Sequence, residues 1–328
     1  MNRLKAILGK NALVYMRVFR IYYYDLVRFY NYSNVKQLFS NEDAYKGRLT
    51  ILYHVIEKGL TMPETRLGFG LPVIKDLIEL LQKFKKEGYD TRCLEYQHSK
   101  KVLGEYFYFH QEQAFTLPEE ITQQYQEFSN SIIQSPQVHQ LRFTREEYFK
   151  YKDHPFDLFS SSRYSCRNYS SRPIPAEILK KCISLAMKSP TSCNRQLNRI
   201  YVITSPGVKE EVLKLQYGNR GFGHLASTLF ILTANISYFQ GPNDRNESYI
   251  NTGMFAMSLL NALHHHEIGA CPLNWSVDHK RDTRLRKLLH IPDNERIGLV
   301  ISAGYLPDTL EIASSPRLEV DQITKFFA

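Results

Sequence analysis

Arginine and serine side chains are concentrated in one short segment in the second half of the chain. Arg163, Arg167 and Arg172 fall within ten residues, with serines directly before and between them. Guanidinium groups form bidentate, charge-assisted hydrogen bonds with phosphate oxygens, so this segment suits a phosphate dianion. A polar loop further along carries Asn194 and Gln196, whose amides can match the donors and acceptors of a flat heterocycle. The two segments together predict a phosphorylated, planar cofactor.

Both segments resemble the start of the nitroreductase-like flavoprotein family, in which R-x-S-x-R, a helix and a loop S-P-S-x-x-N-x-Q line the FMN site. The first match in this chain is R-Y-S-C-R at 163–167, and the second is S-P-T-S-C-N-R-Q at 189–196. The family usually continues the loop with Pro-Trp, where this chain has Leu197-Asn198. The resemblance implies that these segments supply nine cofactor-binding residues, namely Arg163, Tyr164, Ser165, Arg167, Pro190, Thr191, Ser192, Asn194 and Gln196.

Later segments extend the resemblance to about residue 323. Gly269 to Trp275 is similar to a family segment whose backbone amides face the reactive N5 of the flavin, which implies contacts from Pro272, Leu273 and Asn274. Gly304-Tyr305-Leu306-Pro307 stands where the family has G-Y-P. Arg317 matches the arginine that the family uses on the FMN phosphate.

The resemblance implies an α+β fold: a central, mostly antiparallel sheet flanked by helices, here preceded by a mainly α-helical N-terminal region. It also implies a homodimer with two flavin sites, each lined by both chains, and a tail from Leu318 that wraps onto the partner. The expected reaction is a ping-pong reduction by NADH or NADPH of an unidentified nitro, quinone or sugar-linked substrate. Because the flavin carries this chemistry, no catalytic acid or base is assigned to a residue.

Two other functions stay open from the sequence alone. The same flavin could serve dehydrogenation or reduction of one specific metabolite. Alternatively, the chain is a binding or scaffold protein with a relict flavin site, since a fold does not fix a function. The long N-terminal extension with its E-K-G-L segment resembles nitroreductase-like proteins found near polysaccharide-biosynthesis genes.

The composition of the chain indicates in which cellular compartment the protein works and which partners it has. The five cysteines are scattered and never in C-x-x-C spacing, which argues against a disulfide framework or a zinc site and favours a reducing compartment. No apolar run approaches the roughly 20 residues of a spanning helix, and no signal peptide is evident, so we expect a cytoplasmic protein. Nucleic acid is not an expected partner, because no recognition motif accompanies the net charge of +9.

Residues 1–40 are basic and rich in tyrosine and phenylalanine, with apolar positions compatible with a helix. Such a helix can dock on its own protein or on a second subunit, with long basic side chains covering apolar surface. It can also lie on an anionic membrane, so peripheral membrane contact is an alternative.

The segment 43–70 predicts a helix that ends at Gly59 with a left-handed cap, followed by a tight loop at Gly68 and Gly70. One interpretation is a plain helix–helix connection, with His54, Glu57 and Lys58 forming a solvated ion pair. In the other, the segment covers the flavin site and brings Arg66 or His54 to the substrate.

The rest of the chain predicts further helices over 72–130, a connection over 130–157, and a domain boundary near residue 150. This divides the chain into a helical region, 1–150, and a flavin-binding domain, 151–328. β-Branched runs predict strands at 199–204, 227–234 and 296–303. The apolar pattern of 249–267 predicts a helix that is buried all round, ending in three histidines that form a polar helix end rather than a metal site. The glycine-rich loop 218–224 offers Arg220 and Phe222 as candidate substrate contacts.

Overall fold

The structure is a computed structural model, and it describes residues 10–36, 39, 41–129 and 140–327. Contacts divide the chain into two compact units. The first unit combines the described part of Met1–Phe29 with Phe143–Leu310, and the second combines Tyr30–Arg142 with Glu311–Ala328. The first part of the predicted connection, residues 130–139, lies outside the described residues.

The N-terminal part of the chain is helical, as predicted. Its helices are α1 (Lys10–Tyr32), α2 (Glu42–Leu60), α3 (Leu71–Lys86), α4 (Leu94–Glu112) and α5 (Glu119–Ser129). Helix α2 begins after Asn41, whose side chain accepts a hydrogen bond of 2.9 Å from the Ala44 amide. Apolar residues at helical spacing on α2, α3 and α4 form the core of the second unit, with Leu49, Ile56, Leu77 and Leu103 fully buried.

The prediction that Gly59 caps α2 is wrong, because the helix continues to Leu60 and Gly59 lies inside it. The glycine is required for packing instead. A Cβ atom on Gly59 would lie 2.0 Å from Cε2 of Phe69. Phe69 is held there by a loop in which Gly68 and Gly70 both have φ of +68°, as predicted for a tight loop. The Tyr106 hydroxyl donates to the Phe69 carbonyl at 2.7 Å, and the Gly68 amide donates to His110 Nε2 at 2.9 Å.

We therefore expect Gly59→Ala to destabilise the protein by about 1–3 kcal/mol, the usual cost of overpacking a core. The matched control is Gly47→Ala on the exposed side of the same helix, where a Cβ meets nothing within 4 Å. Because alanine is the better helix former, this control should stabilise by up to about 1 kcal/mol. Denaturant unfolding of both variants measures the difference, and equal effects at the two glycines would contradict the packing role.

The first unit is built on a four-stranded sheet of β2 (Asn198–Ile203), β3 (Thr228–Asn235), β4 (Gly269–Asn274) and β5 (Glu295–Gly304). The strand order is β2-β3-β5-β4, and every pair is antiparallel. A separate two-stranded sheet joins β1 (Leu141–Thr144) to β6 (Thr309–Ile312). The other helices are α6 (Arg145–Phe149), α7 (Phe156–Ser162), α8 (Ala176–Ala186), α9 (Pro206–Leu215), α10 (Glu247–His265), α11 (His279–Leu289) and α12 (Val320–Ile323). The predicted α+β fold, with a mostly antiparallel sheet, flanking helices and a helical N-terminal region, is confirmed.

Strand β4 was not among the predicted strands. Its sequence, G-A-C-P-L-N, carries a glycine and a proline, and proline has no N–H for a ladder. The strand is tolerated because it lies at an edge of the sheet, where Pro272 stands opposite Ile301 of β5. Strand β4 is also the segment that the family resemblance implies as a flavin contact.

Helix α10 packs on the sheet and on α8, and its buried side contributes Phe255, Leu259 and Leu263 to the core. The prediction that α10 is buried on all sides is wrong for the single chain that the structure describes. Ile250 is 52% exposed and Met257 is 40% exposed, so one face of α10 remains apolar and uncovered. Helix α11 begins after Asp278, whose side chain accepts hydrogen bonds from the amides of Lys280 and Arg281.

Candidate functional site

The arginine segment runs in extended form along the outer edge of the sheet. The Cys166 amide donates to the Ala270 carbonyl of β4 at 3.0 Å, and the Ser170 amide donates to the Tyr305 carbonyl at 2.8 Å. The segment is also fixed at its start, because the Tyr148 hydroxyl donates to the Tyr164 carbonyl at 2.9 Å and accepts from the Tyr164 amide at 3.2 Å. The structure thus brings R-Y-S-C-R beside β4, which carries Pro272, Leu273 and Asn274.

Arg163 is the residue of this segment whose surroundings best fit a bound anion. Its Nε and Nη1 atoms are buried, and neither has a hydrogen-bond partner among the described residues. Buried donors without partners are rare in folded proteins and cost about 1–3 kcal/mol each. A bound phosphate would supply the acceptors, so the donor set fits the phosphate end of a cofactor such as FMN.

His264 lies beneath this segment and corrects the prediction of a polar helix end. It is only 1% exposed, and its ring packs against those of Tyr148, Phe149 and Phe159. Its Nε2 atom lies 3.0 Å from the hydroxyl of Ser162, the residue before Arg163. Burial, with smaller contributions from the charges of Arg163 and His265, lowers the pKa of His264 to about 4. The histidine is therefore neutral at pH 7, which suits a position close to a guanidinium.

Acidification is expected to destabilise the protein through His264. Below pH 6.5 the unfolded chain binds a proton that the folded chain does not take up until about pH 4, so this stability is present above pH 6.5 and is lost as the pH falls. The shift corresponds to about 3 kcal/mol. Between pH 7 and pH 4.5, the wild type should lose about 2–3 kcal/mol more free energy of unfolding than His264→Phe. Equal losses would contradict the assignment.

The polar loop 189–196 leads into β2 and is held in a strained conformation. Cys193, Asn194 and Gln196 all have positive φ, at +54°, +54° and +48°. Left-handed backbone costs a non-glycine residue about 1–2 kcal/mol and persists only where the surroundings enforce it. The amides of Asn194 and Gln196 are exposed and bonded to each other, with Gln196 Nε2 donating to Asn194 Oδ1 at 3.3 Å.

Side chains at the start of α10 enforce this loop conformation. The Ser192 amide donates to Asn251 Oδ1 at 3.1 Å, and the Ser192 hydroxyl donates to Glu247. Arg195 donates to Asp244 at 3.0 Å. Asn251 is fully buried. The sequence reasoning did not identify Glu247 or Asn251, although a polar residue on the buried side of an apolar helix is a signal that could have found Asn251.

The two motifs lie at diagonally opposite corners of the sheet within one chain. The arginine segment bonds to Ala270 of β4, which is paired through Ala303 to Thr228, the first residue of β3. The polar loop enters β2 at Asn198, which is paired with Ala234 near the other end of β3. Strand spacings put these corners roughly 14 Å apart across the strands and roughly 20 Å along them. One chain therefore does not bring all the predicted flavin ligands together.

The remaining predicted residues occupy separate places. Arg220 is exposed on the glycine-rich loop of the first unit, and Phe222 is fully buried beneath that loop. Arg66 and Arg317 belong to the second unit, where both side chains are exposed. Cys166 is fully buried and burial raises the pKa of its thiol to about 12, as expected for a small packing residue. Among the described residues, no cluster of potential ligands could hold a metal ion.

The model of the Nitroreductase family matches residues 161–219 and 208–305. This stretch contains the arginine segment, the polar loop and all four strands of the main sheet. The C-terminal half of the chain thus carries a nitroreductase-family domain, and the sequence-based recognition is confirmed. The match to this family suggests a flavin oxidoreductase, and it does not determine the substrate.

Two curated relatives are similar to about half of the chain. An iodotyrosine dehalogenase 1 homolog of Caenorhabditis elegans is 23% identical over 197 residues, which are 50% of this chain and 59% of that protein. An iodotyrosine deiodinase of Nematostella vectensis is 23% identical over 209 residues, covering 54% of this chain and 77% of that protein. The match thus spans less than two thirds of the first relative.

Solved structures of nitroreductases are similar to about half of the chain. A nitroreductase family protein from Streptococcus pneumoniae TIGR4 has 19% sequence identity and a TM-score of 0.46, covering 52% of this chain and 100% of its own. An FMN-dependent nitroreductase from Clostridium difficile R20291 has 19% identity and a TM-score of 0.41, covering 45% of this chain and 86% of its own.

Proposed function

We propose that the protein is an FMN-dependent oxidoreductase that uses NADH or NADPH to reduce a small organic substrate. The observation that carries the proposal concerns Arg163. Its Nε and Nη1 atoms are buried and have no hydrogen-bond acceptor among the described residues. Arg163 and Arg167 would hold the phosphate, with Arg317 as a further candidate. The backbone of β4 at Pro272, Leu273 and Asn274 would lie along the flavin ring.

FMN, when bound, would supply hydride transfer between the nicotinamide and the substrate. The residues of this chain have three tasks. The arginines bind the dianion and raise the local positive potential, which favours the reduced, anionic cofactor. Asn194 and Gln196 offer exposed amide donors and acceptors for the ribityl chain or the ring edge. The buried, neutral His264 fixes Ser162 and thereby the start of the arginine segment.

The separation of the two motifs supports a homodimer. Because the arginine segment and the polar loop lie at opposite corners of one sheet, a second copy is needed to bring a polar loop to an arginine segment. The apolar face of α10, with Ile250 and Met257, offers a surface for this association. In the proposed dimer each flavin contacts both chains, and the C-terminal tail packs on the partner.

The curated relatives favour a second candidate function. Both are named for the removal of iodine from iodotyrosine. Reductive removal of halide from an aromatic ring uses the same electron source, so we propose dehalogenation as the alternative to reduction of a nitro or quinone group. Arg220 of the first unit or Arg66 of the second remains a candidate substrate contact in either case, because each side chain is exposed, whereas the fully buried Phe222 does not. We also propose a reducing, cytoplasmic environment, since the five cysteines are scattered along the sequence and never in C-x-x-C spacing.

The proposal is tested by mixing the purified protein with NADH or NADPH in the absence of oxygen and recording the visible flavin band. We expect bleaching by one of the two donors. Addition of a nitroaromatic, a quinone or iodotyrosine should restore the band, and release of iodide or of the reduced product identifies the acceptor class. A flavin band that neither donor bleaches would leave a binding role as the better explanation.

A further inference from the structure

A buried carboxylate of the second unit contacts the short segment that leads to Arg317. Glu57 of α2 is fully buried, and its Oε1 atom accepts from the Ser314 hydroxyl at 3.3 Å and lies 2.5 Å from His98 Nε2. Its Oε2 atom lies 3.3 Å from His54 Nδ1. Because Ser314 stands three residues before Arg317, the backbone between them determines where the guanidinium group points.

A second polar side chain holds the same serine through its backbone. The Ser314 amide donates to Gln140 Oε1 at 3.3 Å, and Gln140 Nε2 donates to Glu105 Oε2 at 2.7 Å. Glu105 belongs to α4 and is only 7% exposed. Buried carboxylates on two helices of the N-terminal region therefore hold both the side chain and the backbone of Ser314.

The residue after Ser314 has a backbone conformation that persists only under constraint. Ser315 has φ of +43°, in the left-handed region, and it precedes Pro316. Left-handed backbone is unfavourable for a residue with a Cβ atom and is kept only where the surroundings enforce it. A following proline restricts the backbone further through its Cδ atom. The contacts of Ser314 with Glu57 and Gln140 supply such a constraint.

The guanidinium group of Arg317 stays available in this conformation. Its Nη1 atom donates to the Ser315 carbonyl, and among the residues that the structure describes this is its one side-chain hydrogen bond. The side chain is exposed. It lies close to α2, since burial raises the pKa of Tyr53 and the charge of Arg317 acts against that rise. An exposed guanidinium group that is held by one donor, with its other donors free, suits an anionic ligand.

We infer that Glu57 and Gln140 position Arg317 for the phosphate of FMN by holding residues 314–316. The inference rests on the proposed function, in which Arg317 is a candidate ligand of that phosphate. It extends that function to the helical N-terminal region, whose described helices include none long and apolar enough to cross a membrane. Because a guanidinium group that is already oriented loses less side-chain entropy on binding, these positioning residues should raise the affinity for FMN.

Fluorescence titration of the flavin-free protein with FMN tests the inference through a double-mutant cycle. Arg317→Ala should weaken binding about tenfold to a hundredfold, as expected for one hydrogen bond to a charged group. Ser314→Ala removes the contact with Glu57 and should weaken binding about fivefold, and Gln140→Ala should do the same. In the Arg317→Ala background, neither substitution should weaken binding further. Ser314→Thr keeps the hydroxyl and should bind FMN like the wild type.

Gln123→Ala on the exposed side of α5 is the matched control for Gln140→Ala and should retain the wild-type affinity. Circular dichroism and denaturant unfolding identify conditions in which every variant is folded. The inference is overturned if Arg317→Ala, or both Ser314→Ala and Gln140→Ala, leave the affinity unchanged. It is also overturned if Ser314→Ala and Gln140→Ala weaken binding equally with and without Arg317, since their role is then purely structural.

The two proposals fail in different ways. A wild-type protein that binds no FMN would overturn the proposed function and this inference together. The other contradicting outcomes are seen only in a protein that binds FMN, so they overturn the positioning role and leave the proposed function in place.

Discussion

Replacing Arg163 with alanine is expected to lower FMN affinity at least a hundredfold while leaving the flavin-free protein as stable as before or more stable. Hydrogen bonds to a charged group contribute about 1.5–3 kcal/mol each, so the loss of two corresponds to about 3–6 kcal/mol of binding. The flavin-free protein loses nothing comparable, because Arg163 Nε and Nη1 have no partners there. Their removal relieves a desolvation cost.

Two variants sharpen this prediction. Arg163→Lys keeps the charge but not the two-pronged geometry, and should bind FMN with intermediate affinity. Arg172→Ala is the matched control, since its guanidinium stacks on the Tyr305 ring at 4.3 Å and it should retain FMN. Fluorescence titration of flavin-free protein gives the affinities, and denaturant unfolding gives the stabilities. Unchanged FMN affinity in Arg163→Ala would contradict the assignment of the phosphate site.

Replacing Glu57 with glutamine is expected to cost the folded protein about 3 kcal/mol at pH 7, because it removes a buried carboxylate and hydrogen bonds to a charged group contribute about 1.5–3 kcal/mol each. Glu57 is fully buried in the second unit, so the predicted solvated ion pair is wrong. His98 Nε2 lies 2.5 Å from one carboxylate oxygen and His54 Nδ1 lies 3.3 Å from the other. The Ser314 hydroxyl donates to the carboxylate at 3.3 Å.

Glu57 is also expected to make the free energy of unfolding depend on pH in the acidic range. Burial alone would raise the pKa of Glu57, but the hydrogen bonds and charges of His54 and His98 outweigh it and lower the pKa to about 2. Because the pKa is lower in the folded chain, the stabilisation is complete above pH 4.5 and is lost as the pH falls towards 2. Glu57→Gln should lack this component of acid denaturation. The control Glu120→Gln removes an exposed ion pair with Lys75 and should change stability by less than about 1 kcal/mol.

The sequence was sufficient for features that depend on local pattern. Apolar spacing predicted the helices of the N-terminal region, and β-branched runs predicted β2, β3 and β5. The predictions from local pattern were wrong for residues whose role depends on a partner far away in the sequence. Gly59 reads as a helix cap, but it is needed for contact with Phe69. His264 reads as a polar helix end, but Tyr148, Phe149 and Phe159 bury it.

The candidate site shows the same division. The arginine segment and the polar loop could be identified from spacing and resemblance, but not their placement at opposite corners of the sheet, which depends on strand order. Tyr148, Glu247 and Asn251 hold the two motifs in place through contacts far apart in sequence, and no local signal marks Tyr148 or Glu247 for that task.

The central claim, that this protein binds FMN, is tested most directly by the absorbance spectrum of the freshly purified protein and the identity of any cofactor released on denaturation. We expect a visible flavin band and FMN in the released fraction, about one per chain, since two chains line two sites in the proposed dimer. Protein that is colourless, and that stays without a bound flavin when FMN is added, would contradict the claim and leave the nitroreductase-family domain without its cofactor.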